Sequence, residues 1–138
     1  MIELFFEGRV KNRRMYEDFA CACINDLLPR AFKREIDILI KFTKKDIGAM
    51  GWCLPTDKNS IGIVVNTDAE PKMIAQTIAH ELTHAKQYIR GELNDTMTRW
   101  KKEEIPYGPR GGIKIKYRQQ PWEIEAFEKE IELTRAYW

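Results

Sequence analysis

The chain has two histidines, and they stand four residues apart with a glutamate beside the first: His80-Glu81-Leu82-Thr83-His84. On an α-helix, positions i and i+4 differ by about 40° of rotation, so both imidazoles leave one face, one turn apart. Two ring nitrogens so placed can reach one metal ion, and imidazole suits Zn²⁺. Glu81 then lies close enough to act on a water at that ion without being a ligand. The chemistry this pattern implies is metal-assisted hydrolysis: zinc lowers the pKa of a water towards about 7, and Glu81 serves as the general base.

A catalytic zinc site needs a third protein ligand. No histidine remains, so it must be a carboxylate or a thiolate. Cys21, Cys23 and Cys53 lie upstream in a predicted helix and strand and are poor candidates. Carboxylates crowd instead into Pro121-Trp122-Glu123-Ile124-Glu125-Ala126-Phe127-Glu128-Lys129-Glu130, which reads as the start of a final helix. At about 100° per residue, Ile124, Phe127, Ile131, Thr134 and Trp138 make an inward stripe. Glu123 lies roughly 60° from its centre, Glu128 and Glu130 about 80°, and Glu125 about 140°, towards solvent. Glu123 is the best-placed ligand, and its first-turn position suits an anion near the helix dipole's positive end. Glu125 is second. Otherwise Glu125, Glu128, Glu130 and Glu132 read as a charged outer face.

The HExxH run followed by Glu123-Ile124-Glu125-Ala126 resembles the gluzincin metallopeptidases, in the compact form of the minigluzincins and the SprT-like metallopeptidase domains. By order of elements the resemblance spans residues 35–137, although only the two short motifs are specific. It implies a small α+β zincin-like domain over residues 1–138, with an N-terminal helix, a short mixed sheet, an active-site helix and a C-terminal helix bearing the ligand glutamate. The implied metal ligands are His80, His84 and Glu123, the cofactor Zn²⁺, and the substrate a protein or peptide. In many gluzincins that glutamate heads an E-x-x-A-D pattern, which falls on Glu123. Phe127 stands where the family often has an aspartate bonded to a zinc histidine, so a backbone carbonyl or Asn66 is the expected partner instead. The resemblance also implies an edge strand above the active helix that pairs with substrate backbone, and residues 60–66 match it. For stabilising the oxyanion, Tyr107, Arg110, Tyr117 and Arg118 are candidates. Tyr117 is favoured because it immediately precedes the last helix.

Other elements must position these residues. Residues 1–7 read as a short strand. Tyr16, Phe19, Cys23 and Leu27 recur at helical spacing over 12–28, with Pro29 as the stop. Ile36, Ile38, Ile40 and Phe42 alternate as in a strand. Residues 50–54 and 60–66 form a hairpin across a turn at 55–59. The active helix runs from 68–71 to Arg90, with Gly91 as its cap. Its core stripe is Ile74, Ile78, Leu82, Ala85 and Ile89. Residues 91–112 read as an irregular connection, and Ile113, Ile115 and Tyr117 as a short strand or lip. Trp122 reads as core, and Trp100 as core or cleft wall.

At 138 residues, 43% hydrophobic and 32% charged, the chain is an ordinary globular domain. No apolar run reaches the 18 or so residues of a membrane span, and the acidic start is no secretory signal, which points to the cytoplasm. Three cysteines without a CxxC read as buried free thiols. Net charge is +2, but Arg9, Lys11, Arg13 and Arg14 form one basic run, and residues 99–118 carry seven basic side chains against Glu103 and Glu104. Those segments could contact phosphates or an acidic partner. They define the alternative: a nucleic-acid- or protein-binding module that keeps a structural or vestigial zinc site. Glu81 argues against it, since a structural site needs no base.

Overall fold

The computed structural model describes residues 1–29, 34–104 and 116–138. In chain order the elements are β1 (Ile2–Glu7), α1 (Arg13–Leu27), β2 (Ile36–Thr43), β3 (Gly51–Asp57), β4 (Ser60–Asn66) and α2 (Pro71–Ile89). Two short strands follow, β5 (Arg99–Trp100) and β6 (Glu103–Glu104), then a 3₁₀ turn (Tyr117–Gln119) and α3 (Pro121–Tyr137). The fold is mixed α+β. No described helix is long and apolar enough to cross a membrane.

Four strands form one mixed sheet in the order β1-β2-β4-β3, with β1, β2 and β4 parallel and the β3–β4 hairpin antiparallel. Strict alternation decides which face is covered. Ile36, Ile38, Ile40 and Phe42 on β2 and Ile61, Ile63 and Val65 on β4 are buried in one core with α1 and α2. The hairpin expected at 50–66 is present, with two differences. Pro55 belongs to β3 rather than to the turn, which an outermost strand tolerates because a proline there need not donate to a neighbour. And β4, expected at the edge, lies inside the sheet between β2 and β3, because β2 pairs with it along its whole length. The edge strand beside α2 is β3.

α1 buries Tyr16, Phe19, Ala20, Cys23, Ile24 and Leu27. Arg13, which sequence grouped with a basic run, spends its guanidinium on the carbonyls of Phe6 and Gly8 and on Glu17, tying the helix start to the end of β1. Of the three thiols, Cys23 is buried as expected and Cys53 half-buried, but Cys21 is exposed because it falls on the outer side of α1.

α2 is the central element. Pro71 opens it, where a missing N–H costs nothing, and Gly91 follows its end at φ +70°, a conformation that carries a penalty for any residue with a Cβ. Across residues 77–87 every side chain is buried, since the sheet and α1 pack on one side and α3 on the other.

The inward face of α3 is rotated from the expected stripe. Trp122, Glu123, Ala126, Leu133 and Thr134 are buried, whereas Ile124 and Ile131 are exposed. Hydrophobicity alone gave the wrong phase because the side of α2 that receives α3 is polar. There His80, His84, Lys86 and Gln87 ask for carboxylates rather than for isoleucines. The last residue, Trp138, stacks on Tyr16 at 5.3 Å and so packs on α1.

Candidate metal centre

α2 and α3 together build one buried polar cluster. His80 Nε2 and His84 Nε2 each lie 3.0 Å from the same oxygen, Glu123 Oε1. The donor atoms of the three residues all fall within 4.8 Å of one another, and all three residues are buried. The expected convergence of His80, His84 and Glu123 is therefore present, though Glu123 points inward for a different reason than its angle to an isoleucine stripe.

The outer nitrogens of both rings are fixed. His80 Nδ1 is 3.1 Å from Glu130 Oε1, and a carboxylate only accepts, so Nδ1 carries the hydrogen. His84 Nδ1 is 2.8 Å from Gln87 Oε1. The amide orientation follows from its own bonds: Gln87 Nε2 donates to Trp122 O at 2.9 Å and to Glu125 Oε1 at 3.0 Å, leaving Oε1 to face the ring. With both Nδ1 atoms protonated, each neutral ring would present its Nε2 lone pair to a carboxylate oxygen. That juxtaposition is repulsive unless protons or a cation lie between them. Two imidazole nitrogens and one carboxylate oxygen, aimed at one point and held from behind, could hold a metal ion.

Glu130 and Gln87 are the residues that sequence reasoning missed. Neither Asn66 nor a backbone carbonyl plays that part; the Asn66 side chain caps the turn after β4, accepting from Asp68 N. Signals existed. Gln87 is three residues after His84 on the same helix, and Glu130 is seven after Glu123, two turns along the same face. Glu125, expected towards solvent, accepts from Lys86 Nζ and Gln87, and Lys86 also pairs with Glu92 at 2.8 Å. It braces α3 against α2 and is not among the three converging groups.

Electrostatics follow from this packing. Burial opposes charge on His80, but the bonds to Glu123 and Glu130 outweigh it and raise the ring to about 9. Glu123 is likewise opposed by burial, yet bonding to the two rings pulls it down to about 2. Glu81 is buried, and loss of solvent raises its pKa even though His84 and His80 draw it back. A carboxylate so raised picks up a proton more readily.

Glu81 and His80 face a cleft of about 680 Å³ that is also lined by Met50, Gly51, Thr77, Tyr117, Arg118 and Phe127. Gly51 is required there. A Cβ on it would stand 2.7 Å from Thr77 Cγ2, 3.0 Å from Val64 O and 3.2 Å from Glu81 Cγ, so only glycine lets the edge strand lie this close to α2. Tyr117 lies in the 3₁₀ turn and not in a strand. Its ring meets Phe127 edge-on at 6.1 Å, and burial followed by the charge of Glu123 holds its phenol above the ordinary 10. Arg118 stacks over Phe127 at 4.7 Å. Tyr107, Arg110, Ile113 and Ile115 lie outside the described residues. Trp122 is fully buried, and Trp100 tilts against it at 6.3 Å.

Comparison with protein-family models, with curated proteins and with solved structures finds no match to this chain.

Proposed function

We propose that this chain is a zinc-dependent peptidase of the gluzincin kind, with His80, His84 and Glu123 as ligands and Glu81 as general base. One observation carries the reading: three donors of the right chemistry converge while a fourth, buried acid, Glu81, stands beside them in the wall of an open cleft. A purely structural site would have no use for that acid or for access to it. Zinc held there would acidify a water and polarise the scissile carbonyl.

The chain's own residues do the rest. Glu81, its pKa raised by burial, takes a proton from the attacking water and passes it to the leaving nitrogen. Glu130 and Gln87 hold the two rings so that Nε2 faces inward. Tyr117, across the cleft, is the donor for the developing oxyanion. Among the described residues β3 has no strand on its outer side, and an extended peptide could add to it by main-chain hydrogen bonds. The edge role that the resemblance assigned to β4 passes in this reading to β3.

Metal analysis of protein purified without chelators, together with cleavage of an unstructured protein, tests the proposal. Glu81→Gln should keep the metal and lose about 10²–10⁴-fold in cleavage rate. Cleavage by that variant at the wild-type rate would sink the mechanism.

The binding-module alternative draws on one feature, a shallow depression at the ends of β1 and β2 lined by Arg9, Phe42, Thr43, Lys44 and Lys45. It predicts DNA binding that weakens with salt and with Lys44 and Lys45 neutralised, in a protein that cleaves nothing.

A further inference from the structure

Among the described residues that line the cleft beside Glu81 and His80, Arg118 is the one arginine or lysine. No acid of the chain neutralises it. Residues 30–33 and 105–115 contain no aspartate or glutamate, so every such side chain lies among the described residues, and none is paired with Arg118. The cleft's own acids are engaged, since Glu130 holds His80 Nδ1 at 3.1 Å and Glu81 is buried on α2. What holds the guanidinium is a ring: its central carbon stands 4.7 Å from the centre of Phe127. Stacking of this kind leaves the N–H edge of the fork free, and that edge matches a carboxylate.

The surroundings favour an ion pair at this place. Met50, Met73, Phe127 and Ile131 make much of the remaining wall apolar. Ile131 belongs to the stripe that periodicity assigned to the core and that α3 in fact turns outward, to the cleft. A charge pair surrounded by water is worth little, but one formed against apolar side chains is screened less.

Phe127 also sets the distance to the reacting centre. The His80 ring lies 4.7 Å from the same phenyl ring, so Arg118 stands no more than twice that distance from His80. An extended peptide advances about 3.3–3.6 Å per residue and crosses such a gap in about three residues.

We propose that Arg118 selects the substrate by taking a carboxylate carried within about three residues of the bond that is cut. As a statement about cleavage this rests on the peptidase reading, and it narrows the substrate to peptides that present such a group beside bulky apolar residues. Two sources share the chemistry: the α-carboxylate at a peptide's C-terminus, and the side chain of aspartate or glutamate. The first makes the enzyme a trimmer of chain ends, the second a cutter of internal stretches. In either case Arg118 binds the peptide, and the oxyanion stays with Tyr117.

Peptide binding to Glu81→Gln equilibrated with zinc, in which hydrolysis is arrested, tests the proposal. The probes are N-dansylated heptapeptides of alanine and leucine, followed by their fluorescence. One set is amidated and neutral, a second has a free C-terminus, and a third is amidated with one glutamate moved through the positions. One of the two carboxylate sets should bind about tenfold more tightly than the neutral set, and which one does so identifies the source. Adding Arg118→Gln should erase the difference. Arg118→Glu should reverse it in favour of amidated peptides with lysine in place of the glutamate. Both variants should melt as the parent does, because the side chain is exposed. Equal binding of all three sets would overturn the proposal, as would a preference that survives Arg118→Gln because the carboxylate sits on zinc. Cleavage by the chain with Glu81 intact is read separately. A carboxylate preference in a protein that cleaves nothing would remove the peptidase reading and leave the Arg118 site standing, and cleavage without that preference would do the opposite.

Discussion

Glu130 Oε1 sits 3.1 Å from His80 Nδ1, a bond between the last helix and the ring that opens the HExxH run. It occupies the role that the gluzincin resemblance would give to an aspartate at position 127, where this chain has phenylalanine. The carboxylate arrives from one turn further along, and Phe127 packs its ring edge-on against His80 at 4.7 Å. Zinc affinity should therefore depend on Glu130. Competition against a chromogenic chelator should find Glu130→Ala about 10–100-fold weaker, with Gln87→Ala affected similarly through His84. Glu128→Ala, on the exposed side of the same helix, is the control and should bind as wild type does. Wild-type affinity in Glu130→Ala would remove it from the site.

Glu123 and Glu125 should separate cleanly. Glu123→Ala removes one of the three converging donors, whereas Glu125→Ala only frees Gln87 and Lys86 from a brace. With zinc at about 1,000 times its dissociation constant, wild type should gain about 4 kcal/mol in urea denaturation. Glu125→Ala should retain most of that gain, and Glu123→Ala almost none. The reverse order would move the ligand to Glu125.

Gly51 gives a steric test at the other wall. Gly51→Val forces a branched side chain against Thr77, Val64 O and Glu81. Overpacking of this kind costs about 1–3 kcal/mol, and displacement of Glu81 should lower kcat more than it raises KM. A variant of unchanged stability and kcat would show that β3 yields freely and does not set the position of the base.

Alkaline stability should report on Cys23. Burial, and then the charge of Asp26, push its thiol from the ordinary 9.0 up to about 12. The unfolded thiol ionises first, so the contribution is complete below pH 9 and is lost as pH rises from there through 12. The loss is about 1.4 kcal/mol per pH unit over that range. Relative to Cys23→Ala, wild type should lose about 2 kcal/mol between pH 8 and pH 10.5 in paired denaturation curves. Parallel curves would mean that Cys23 is solvated.

What the sequence disclosed depended on whether one periodicity sufficed. The alternation of Ile36 to Phe42 and the helical stripe from Ile74 to Ile89 were legible because each packs an apolar face on a core. The HExxH run was legible because its spacing is the chemistry. α3 was not, since its partner surface on α2 is polar, and its phase is fixed by Glu123, Glu125 and Glu130 meeting His80, His84, Lys86 and Gln87. Pair preferences of this kind have no one-dimensional signature. Strand order was equally hidden: local pattern gives the β3–β4 hairpin, but only the pairing of β2 with β4 decides which of the two is outermost.

The three converging donors come from two helices, and the nearest in sequence across them, His84 and Glu123, lie 39 residues apart. An ion gripping both helices would therefore work as a removable crosslink around the intervening stretch of chain. Closing a loop of that length restricts the unfolded ensemble by roughly 4 kcal/mol, as a disulfide would. Unlike a disulfide, such a clasp would open with the supply of a cation instead of with redox state, and the durability of the molecule and the proposed hydrolysis would answer to one and the same solute.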